Sequence, residues 1–235
     1  ALLLHEPQLA RDQILNAAQR QFPEGDVMHW WLPRTGAGVR TLISDDVVWL
    51  GYAVNRYIQV TGDAGILSED LPFVEGDRLA EGQHDSFMTP EVSKTRVSLY
   101  EHCARALDLA VERSSPRGLP LILGGDWNDG MNRVGEGGKG ESVWLGWFLL
   151  KTLRDFSAIA RGQGDAKRAD AWESHADRLK QALEDDAWDG DWYIRGTYDD
   201  GTLLGSKTSE ECRIDSIAQS WSVLSGEGDP ERSLK

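Results

Sequence analysis

Six segments in which apolar residues recur at helical spacing constrain the fold of this chain more than any other feature. They predict helices over residues 8–21, 44–60, 94–113, 142–161, 166–186 and 215–225. Ser44 is predicted to cap the second helix, with Asp45 and Asp46 in its first turn, where the helix dipole favours anions. Long loops separate the helices, and such helix pairs bury their apolar faces only against neighbouring pairs. The pattern predicts an all-α fold.

Strand signals are weak by comparison. Residues 119–123 and 192–198 are short enough and apolar enough to form strands. The sequence Asp199-Asp200-Gly201 after the second segment is typical of a hairpin turn. We therefore expect at most a small amount of β-structure among the helices.

The charge balance excludes two classes of partner. The 39 acidic and 25 basic side chains give a formal net charge of −14, which repels nucleic acid backbones and anionic lipid. The longest apolar run, Val143–Leu150, is too short to span a bilayer, and no signal peptide is evident. Two cysteines, Cys103 and Cys212, make no disulfide framework and favour a reducing compartment. We expect a cytoplasmic protein that binds neither nucleic acid nor membranes.

Tryptophan is unusually frequent, with ten in the chain. Five of them lie in Gly- and Asp-rich connections rather than in apolar helix stripes: Trp30, Trp31, Trp127, Trp188 and Trp192. An aromatic ring packs on the C–H groups of a pyranose while nearby carboxylates and amides bind its hydroxyls. Any one of these tryptophans can equally fill a gap beneath a loop, but together they favour sugar recognition.

The segment Gly124–Asn132 has the composition of a catalytic loop. Asp126 and Asp129 flank Trp127 and Asn128 between glycines, and glycoside cleavage requires a carboxylic acid that protonates the leaving oxygen. A carboxyl group shielded from water by Trp127 is favoured in its protonated form. The alternatives are a metal loop or an Asx-turn cluster, and the spacing lacks the ligand ladder of a calcium-binding EF loop.

Two further segments contain candidate binding residues. Arg40 precedes a predicted helix and Asp46 lies in its first turn, so the two can fork around sugar hydroxyls. The alternative is a helix cap with a surface ion pair. In 205–224, charged residues precede the last helix, and Gln219, Ser220 and Trp221 can face a pocket. Capping and solvation explain that segment equally well.

Four stretches together resemble glycoside hydrolase family 94: 29–31, 39–49, 124–148 and 205–224. The likeness covers nearly the whole chain, and 124–135 is its most specific part. The family contains inverting cellobiose, chitobiose and 1,2-β-oligoglucan phosphorylases. Within it, the chain is most similar to the phosphorylase-like domain of bacterial cyclic β-1,2-glucan synthases.

The resemblance implies roles for individual residues. It makes Asp129 the general acid and places Trp127 in the subsite for the donor glucose. It implies that Arg40 and Asp46 bind the same glucose. Three more residues complete the predicted substrate-binding set: Asp126, Asn128 and Gln219.

The resemblance also implies an (α/α)6 barrel, of which residues 1–235 form a single partial catalytic domain. The resemblance implies that the β-sandwich domain usual in the family precedes the barrel outside residues 1–235, and that the family's main phosphate-binding residues lie beyond Lys235. We therefore expect the isolated chain to be inactive, and the rest of a longer parent chain or a second copy to complete the barrel. The parent is expected at the bacterial inner membrane, with this domain on the cytoplasmic side.

The expected activity is that of an inverting glycoside phosphorylase, a hexosyltransferase acting on β-glucan, with β-1,2 linkage favoured. Inorganic phosphate is the expected co-substrate and α-glucose 1-phosphate the product, with no metal or organic cofactor. One alternative is an inverting hydrolase in which Asp126, Glu210 or Glu211 activates water. Another is a non-catalytic glucan-binding fragment.

Overall fold

The chain forms two compact units in the computed structural model, which describes residues 2–235. The first unit contains the chain up to Leu42 together with Asp46–Leu109, and the second contains Ile43–Asp45 and Ala110–Lys235. The expected single barrel domain stays a prediction. The fold is rich in helix, as expected, and the residues that the structure describes also form three small sheets, which is more β-structure than the sequence predicts.

Three helices open the first unit. They are α1 (Leu2–His5), α2 (Pro7–Ala18) and α3 (Asp46–Thr61). Pro7 stands at the first position of α2, where its missing N–H has no intrahelical partner to lose. Asp46 occupies the first turn of α3 as expected. Ser44 instead donates its hydroxyl to the carbonyl of Gly125, within the second unit.

Two sheets in the first unit were not anticipated. One has the order β1 (Met28–Trp31), β2 (Gly38–Thr41), β4 (Asp85–Met88), and the other pairs β3 (Asp70–Glu75) with β5 (Glu91–Ser98). All the pairings are antiparallel. The strands of the first sheet have four residues each, too few for a periodic signal to stand out.

The predicted helix over 94–113 is wrong at its start. Residues up to Ser98 belong to β5, and helix α4 covers only Leu99–Glu112. The β-branched residues Val92 and Val97 pair with Val74 and Leu71 of β3, which favours an extended backbone. Between the sheets and helices, Phe22, Met28 and Val74 form a buried cluster against Trp31 and Met88.

Three helices dominate the second unit: α5 (Val143–Gly162), α6 (Ala166–Asp185) and α7 (Ser216–Leu224). The first eight residues of α5 are all buried, which marks it as the central helix. Ser142 caps it by accepting from the N–H of Leu145. The short turn between α5 and α6 makes them antiparallel neighbours, and Phe156 meets Trp172 edge-on at 6.1 Å. These three helices confirm the predicted segments.

A small sheet lies beside these helices. Its order is β6 (Glu141–Ser142), β7 (Gly196–Thr197), β8 (Leu203–Leu204). The strands β7 and β8 form an antiparallel hairpin around residues 198–202, which confirms the predicted turn. The expected strand at 119–123 is reduced to isolated bridges.

The two cysteines differ in their surroundings. Cys103 is buried in α4, where burial raises the pKa of its thiol, whereas Cys212 is exposed between β8 and α7. None of the helices described between residues 2 and 235 combines the length and apolar character that a membrane crossing requires.

Candidate functional site

The backbone turns sharply at the start of the loop that carries the predicted acid. Gly125 has φ +134°, and a Cβ atom there would lie 3.0 Å from the side chain of Ile43. Its carbonyl accepts hydrogen bonds from both the N–H and the hydroxyl of Ser44, at 2.9 and 3.0 Å. The entrance to the loop is therefore fixed from outside its own sequence.

Asp126 is completely buried, and both of its carboxylate oxygens accept hydrogen bonds from side chains of the second unit. Its Oδ1 accepts from Nη2 of Arg195 at 2.5 Å, and its Oδ2 accepts from the hydroxyl of Ser142 at 2.7 Å. The N–H of Asn128 also donates to Oδ1, at 3.3 Å. Because the carboxylate has no solvent-accessible surface, this geometry does not support the predicted direct contact between Asp126 and a sugar.

The tip of the loop is open to solvent. Trp127 is 64% exposed, and Asn128 and Asp129 are also exposed. Asp129 begins a short 3₁₀ turn, and the side chain of Asn128 caps this turn by accepting from the N–H of Gly130 at 3.0 Å. The expected shielding of a carboxyl group by Trp127 is absent at Asp129, because the loop tip lies at the surface.

Sequence reasoning missed Arg195. Its guanidinium is buried and contacts Asp126, Ser142, Met131 and Asp215. Tyr193 and Ile194, which precede it, are buried apolar residues. An arginine that directly follows two apolar residues is expected to be buried beside an acidic partner. The sequence therefore indicates that Arg195 has a buried partner, but it does not identify Asp126 as that partner.

Asp199 stabilises the segment that follows the acid loop in the sequence. The carboxylate of Asp199 accepts from the N–H groups of Gly137, Lys139 and Gly140, at 2.7, 2.7 and 2.9 Å. Partial burial acts to raise the pKa of Asp199, but these three donors outweigh it and hold the pKa below its ordinary value. The β7–β8 turn thus fixes the segment between the acid loop and α5.

In the first unit, Arg40 is buried and all five of its N–H groups have protein acceptors. It forms a two-pronged ion pair with Asp26, donates to Glu24, and reaches the carbonyls of Gly76 and Asp77. Its guanidinium lies over the ring of Phe22 at 3.8 Å. A bond from Arg40 to a sugar would require exchange of one of these acceptors, so its predicted role stays a prediction.

Asp46, also in the first unit, has a different kind of environment. Its carboxylate lies 3.0 Å from Nδ1 of His29 and accepts from the hydroxyl of Thr41 at 3.2 Å. His29 belongs to the His-Trp-Trp sequence and Thr41 ends β2. The carboxylate is thus oriented by two neighbours on strands, as a binding group must be.

The side-chain amide of Gln219 forms two hydrogen bonds with the backbone of Tyr193. Its amide accepts from the N–H of Tyr193 at 2.9 Å and donates to the carbonyl of the same residue at 2.6 Å. It also lines a cavity of about 390 Å³ with Trp188, Trp192 and Ser220. Trp221, by contrast, is partly buried and packs against the core residue Phe148, with ring centroids 4.7 Å apart.

The five tryptophans that the sequence places in connections separate into two groups, and Trp30 and Trp31 in fact lie on strand β1. Trp127 in the second unit and Trp30 in the first are exposed, the latter by 45%. The other three are partly covered: Trp31 packs on a buried cluster, Trp188 meets Tyr193 at 4.9 Å, and Trp192 donates to the carbonyl of Gly205. Of these five, Trp127 has the most exposed ring, because Trp30 also packs against Phe87 at 5.9 Å.

Within residues 2–235, no group of three or more His, Cys, Asp or Glu side chains is arranged to hold a metal ion.

Comparisons with known proteins link this geometry to one family. The model of the glycosyl hydrolase 94 superfamily catalytic domain matches residues 1–235. The chain is 66% identical over 235 residues to the cyclic β-(1,2)-glucan synthase NdvB of Rhizobium meliloti (strain 1021), covering 100% of this chain and 8% of that protein. It is 32% identical to the solabiose phosphorylase of Paenibacillus borealis, covering 97% of this chain and 27% of that protein.

The chain therefore spans only a minor part of the length of these relatives. Among solved structures, a rhamnosidase from Klebsiella oxytoca with rhamnose bound matches with a TM-score of 0.62 at 15% identity, over 97% of this chain and 36% of that one. At that identity the match establishes a shared fold.

Proposed function

The chain belongs to the glycosyl hydrolase 94 superfamily, and on that premise we propose that it forms part of an inverting phosphorylase that cleaves β-glucan with inorganic phosphate. The glycosyl-transferring class follows from the family and its relatives. Phosphorolysis is supported by the phosphorylase relative, and β-1,2 linkage by the 66% identity to the cyclic β-(1,2)-glucan synthase.

The observation that carries the proposal is the placement of Asp129. Its carboxyl group is exposed at the tip of a loop whose base is fixed by buried charge. In the proposed reaction, Asp129 donates its proton to the glycosidic oxygen as the bond to the anomeric carbon breaks. Phosphate attacks that carbon from the opposite face and yields α-glucose 1-phosphate. The leaving sugar departs with the proton from Asp129.

The surroundings of Asp126 favour phosphate over water as the nucleophile. An inverting hydrolase needs a second carboxylate that contacts water, whereas both oxygens of Asp126 are enclosed by Arg195 and Ser142. Glu210 and Glu211 are exposed and could contact water, so the experiment described below includes hydrolysis as one of its outcomes. Phosphate is already a nucleophile and requires no base.

The remaining site assignments are part of the same proposal. Within the second unit, Trp127 offers its open ring to a glucose unit of the substrate. Within the first unit, Arg40 and Asp46 are proposed to bind sugar hydroxyls. The proposed architecture is part of an (α/α)6 barrel that is completed by further sequence or by a second copy. No metal or organic cofactor enters the proposed reaction.

The test uses the complete natural protein that contains these residues. It is incubated with β-1,2-linked gluco-oligosaccharides with and without phosphate, and with β-1,3- and β-1,4-linked oligosaccharides as matched controls. We expect α-glucose 1-phosphate, identified by the anomeric proton signal in NMR, only with phosphate and mainly from the β-1,2-linked substrate. Reducing sugar without phosphate would indicate a hydrolase, and binding without cleavage would indicate a glucan-binding module.

A further inference from the structure

Arg195 is a buried cation for which the proposed reaction has no direct use, and it contacts both ends of the acid loop. Its Nη2 lies 2.5 Å from Oδ1 of Asp126, where the loop begins, and 3.1 Å from Sδ of Met131, where the 3₁₀ turn ends. The four residues between these contacts, 127–130, are exposed and include Asp129. One guanidinium group therefore closes the base of an exposed loop.

The same guanidinium joins this base to the starts of two helices. Its Nη1 donates to the hydroxyl of Ser142, the N-cap of α5, at 3.2 Å. Its Nε pairs with Oδ2 of Asp215, the N-cap of α7, at 3.3 Å. Helices are more rigid than loops, so contacts to their first residues transfer that rigidity to the loop.

Gly205 allows the backbone to approach Arg195 closely. Gly205, next to β8, has φ +73°, and a Cβ atom there would lie 2.8 Å from the backbone nitrogen and Cβ of Arg195. A larger residue would displace Arg195 from its four partners. The position of the Arg195 backbone and Cβ is therefore tied to the close approach of Gly205.

An acid at the tip of an exposed loop depends on such support. Proton transfer to the glycosidic oxygen requires hydrogen-bond distance, and a displacement of about 1 Å can reduce the rate roughly a hundredfold. Lysine cannot replace arginine here, because a single ammonium group lacks the planar fork that reaches several acceptors at once.

We infer that Arg195 is a positioning residue: through Asp126, Met131, Ser142 and Asp215 it holds the acid loop so that Asp129 stays aligned with the glycosidic oxygen. The inference rests on the proposed function, in which Asp129 is the acid. Arg195 itself does not touch the substrate.

The first experiment compares two substrates in the complete natural protein. A gluco-oligosaccharide needs protonation of its leaving oxygen, whereas a 4-nitrophenyl β-glucoside has a leaving group that departs with little help. We expect Arg195→Lys to lower kcat for the oligosaccharide at least about tenfold more than kcat for the aryl glucoside, with KM little changed. Equal losses on the two substrates would overturn the inference.

The control is Leu183→Ala, which removes a fully buried side chain of α6 that packs beside Gly146. It destabilises the second unit without touching the acid loop, so both substrates should be affected equally. If Leu183→Ala reproduced the selective loss, the effect of Arg195→Lys would be one of stability and the inference would fail. Should Arg195→Lys not fold, Asp126→Asn removes the charged partner with little change in shape and takes its place.

A second measurement decides the point without any activity. Amide hydrogen exchange at residues 127–132 should be at least about tenfold faster in Arg195→Lys than in the wild type, with exchange in α6 as the internal reference. Exchange in the loop that changes only in parallel with α6 would overturn the inference. Absence of phosphate-dependent cleavage in the wild type would remove the proposed function, while the exchange result would still decide whether Arg195 holds the loop.

Discussion

Asp26 accepts two hydrogen bonds from Arg40, at 2.6 Å from Nε and 2.8 Å from Nη2, and both side chains are buried in the first unit. This geometry is the strong, bidentate form of the arginine–carboxylate pair. An arginine predicted to bind sugar is thus also an anchor for the sheet that contains it. The two roles can be separated by altering the partner rather than the arginine.

The variant Asp26→Asn should destabilise the protein by about 3 kcal/mol, because the buried Arg40 cation loses the carboxylate that it binds through two nitrogens and keeps the partly exposed Glu24. Urea unfolding measures the change. The matched control is Asp70→Asn, which alters the exposed pair between Asp70 and Arg96 and should cost less than about 1 kcal/mol. Equal effects of the two variants would mean that the buried pair is not an anchor.

The variant Asp129→Asn should lower the turnover of an unactivated glucoside at least about a hundredfold in the complete protein, while sugar binding is largely retained. The reason is that the amide keeps the shape of the loop but cannot donate the acid proton. Initial rates and calorimetric binding measure the two effects. Asp170→Asn, on the exposed face of α6, serves as the control, and near-normal turnover of Asp129→Asn would remove the assignment.

The variant Trp127→Ala should weaken binding of a gluco-oligosaccharide about three- to tenfold, because the sugar loses a ring face worth roughly 1 kcal/mol. The free energy of unfolding should change little, since the side chain is largely exposed. Titration calorimetry in an Asp129→Asn background measures binding without turnover. Trp127→Phe should retain part of the affinity; if Trp127→Ala bound as tightly as the wild type, the ring would have no part in the donor subsite.

The buried imidazole of His175 predicts a pH dependence of stability. Burial, aided by the nearby Arg178 cation, lowers its pKa from 6.5 to about 4. The folded state therefore prefers the neutral ring, so the stabilisation is complete above pH 6.5 and declines as the pH falls toward 4. The loss is on the order of 3 kcal/mol.

Urea unfolding between pH 7.5 and 4 of the wild type and of His175→Gln isolates this contribution from that of the carboxylates. Glutamine can keep a bond to the hydroxyl of Ser114, which lies 3.4 Å from Nε2 of His175, but it does not titrate. The two stability curves should diverge below pH 6.5, with the wild type falling more steeply. Parallel curves would show that His175 is not buried in its neutral form.

The helices could be predicted because their signals are local. Ser142 and Asp215 cap α5 and α7, and the apolar stripe of each helix lies within its own sequence. The sheet β1-β2-β4 has no comparable local signal, because β4 joins the sheet across a long excursion after Thr41. The error at β5 has the same origin: Val97 is extended because it pairs with Leu71, and that pairing is a tertiary choice.

In the candidate site, too, the features with a local sequence signal could be predicted and those that depend on contacts between distant residues could not. Asp129 and Trp127 could be proposed from the composition of one loop, and the structure shows them exposed at its tip. The support for that loop could not be proposed, because Arg195 lies 69 residues from Asp126. The sequence predicts that Asp126 contacts sugar, because a carboxylate beside tryptophan can either bind a sugar or support the loop that carries it. Only its burial distinguishes the two.

The contrast between the two cysteines offers a practical route into these questions. Cys103 is sealed in α4 and its thiol is held in the unreactive protonated form, whereas Cys212 is exposed. A maleimide dye added to the native protein should therefore attach at one position within this chain, without mutagenesis. The dye would sit three residues before Asp215, which pairs with Arg195. Its fluorescence would report in real time on the segment that leads to that contact.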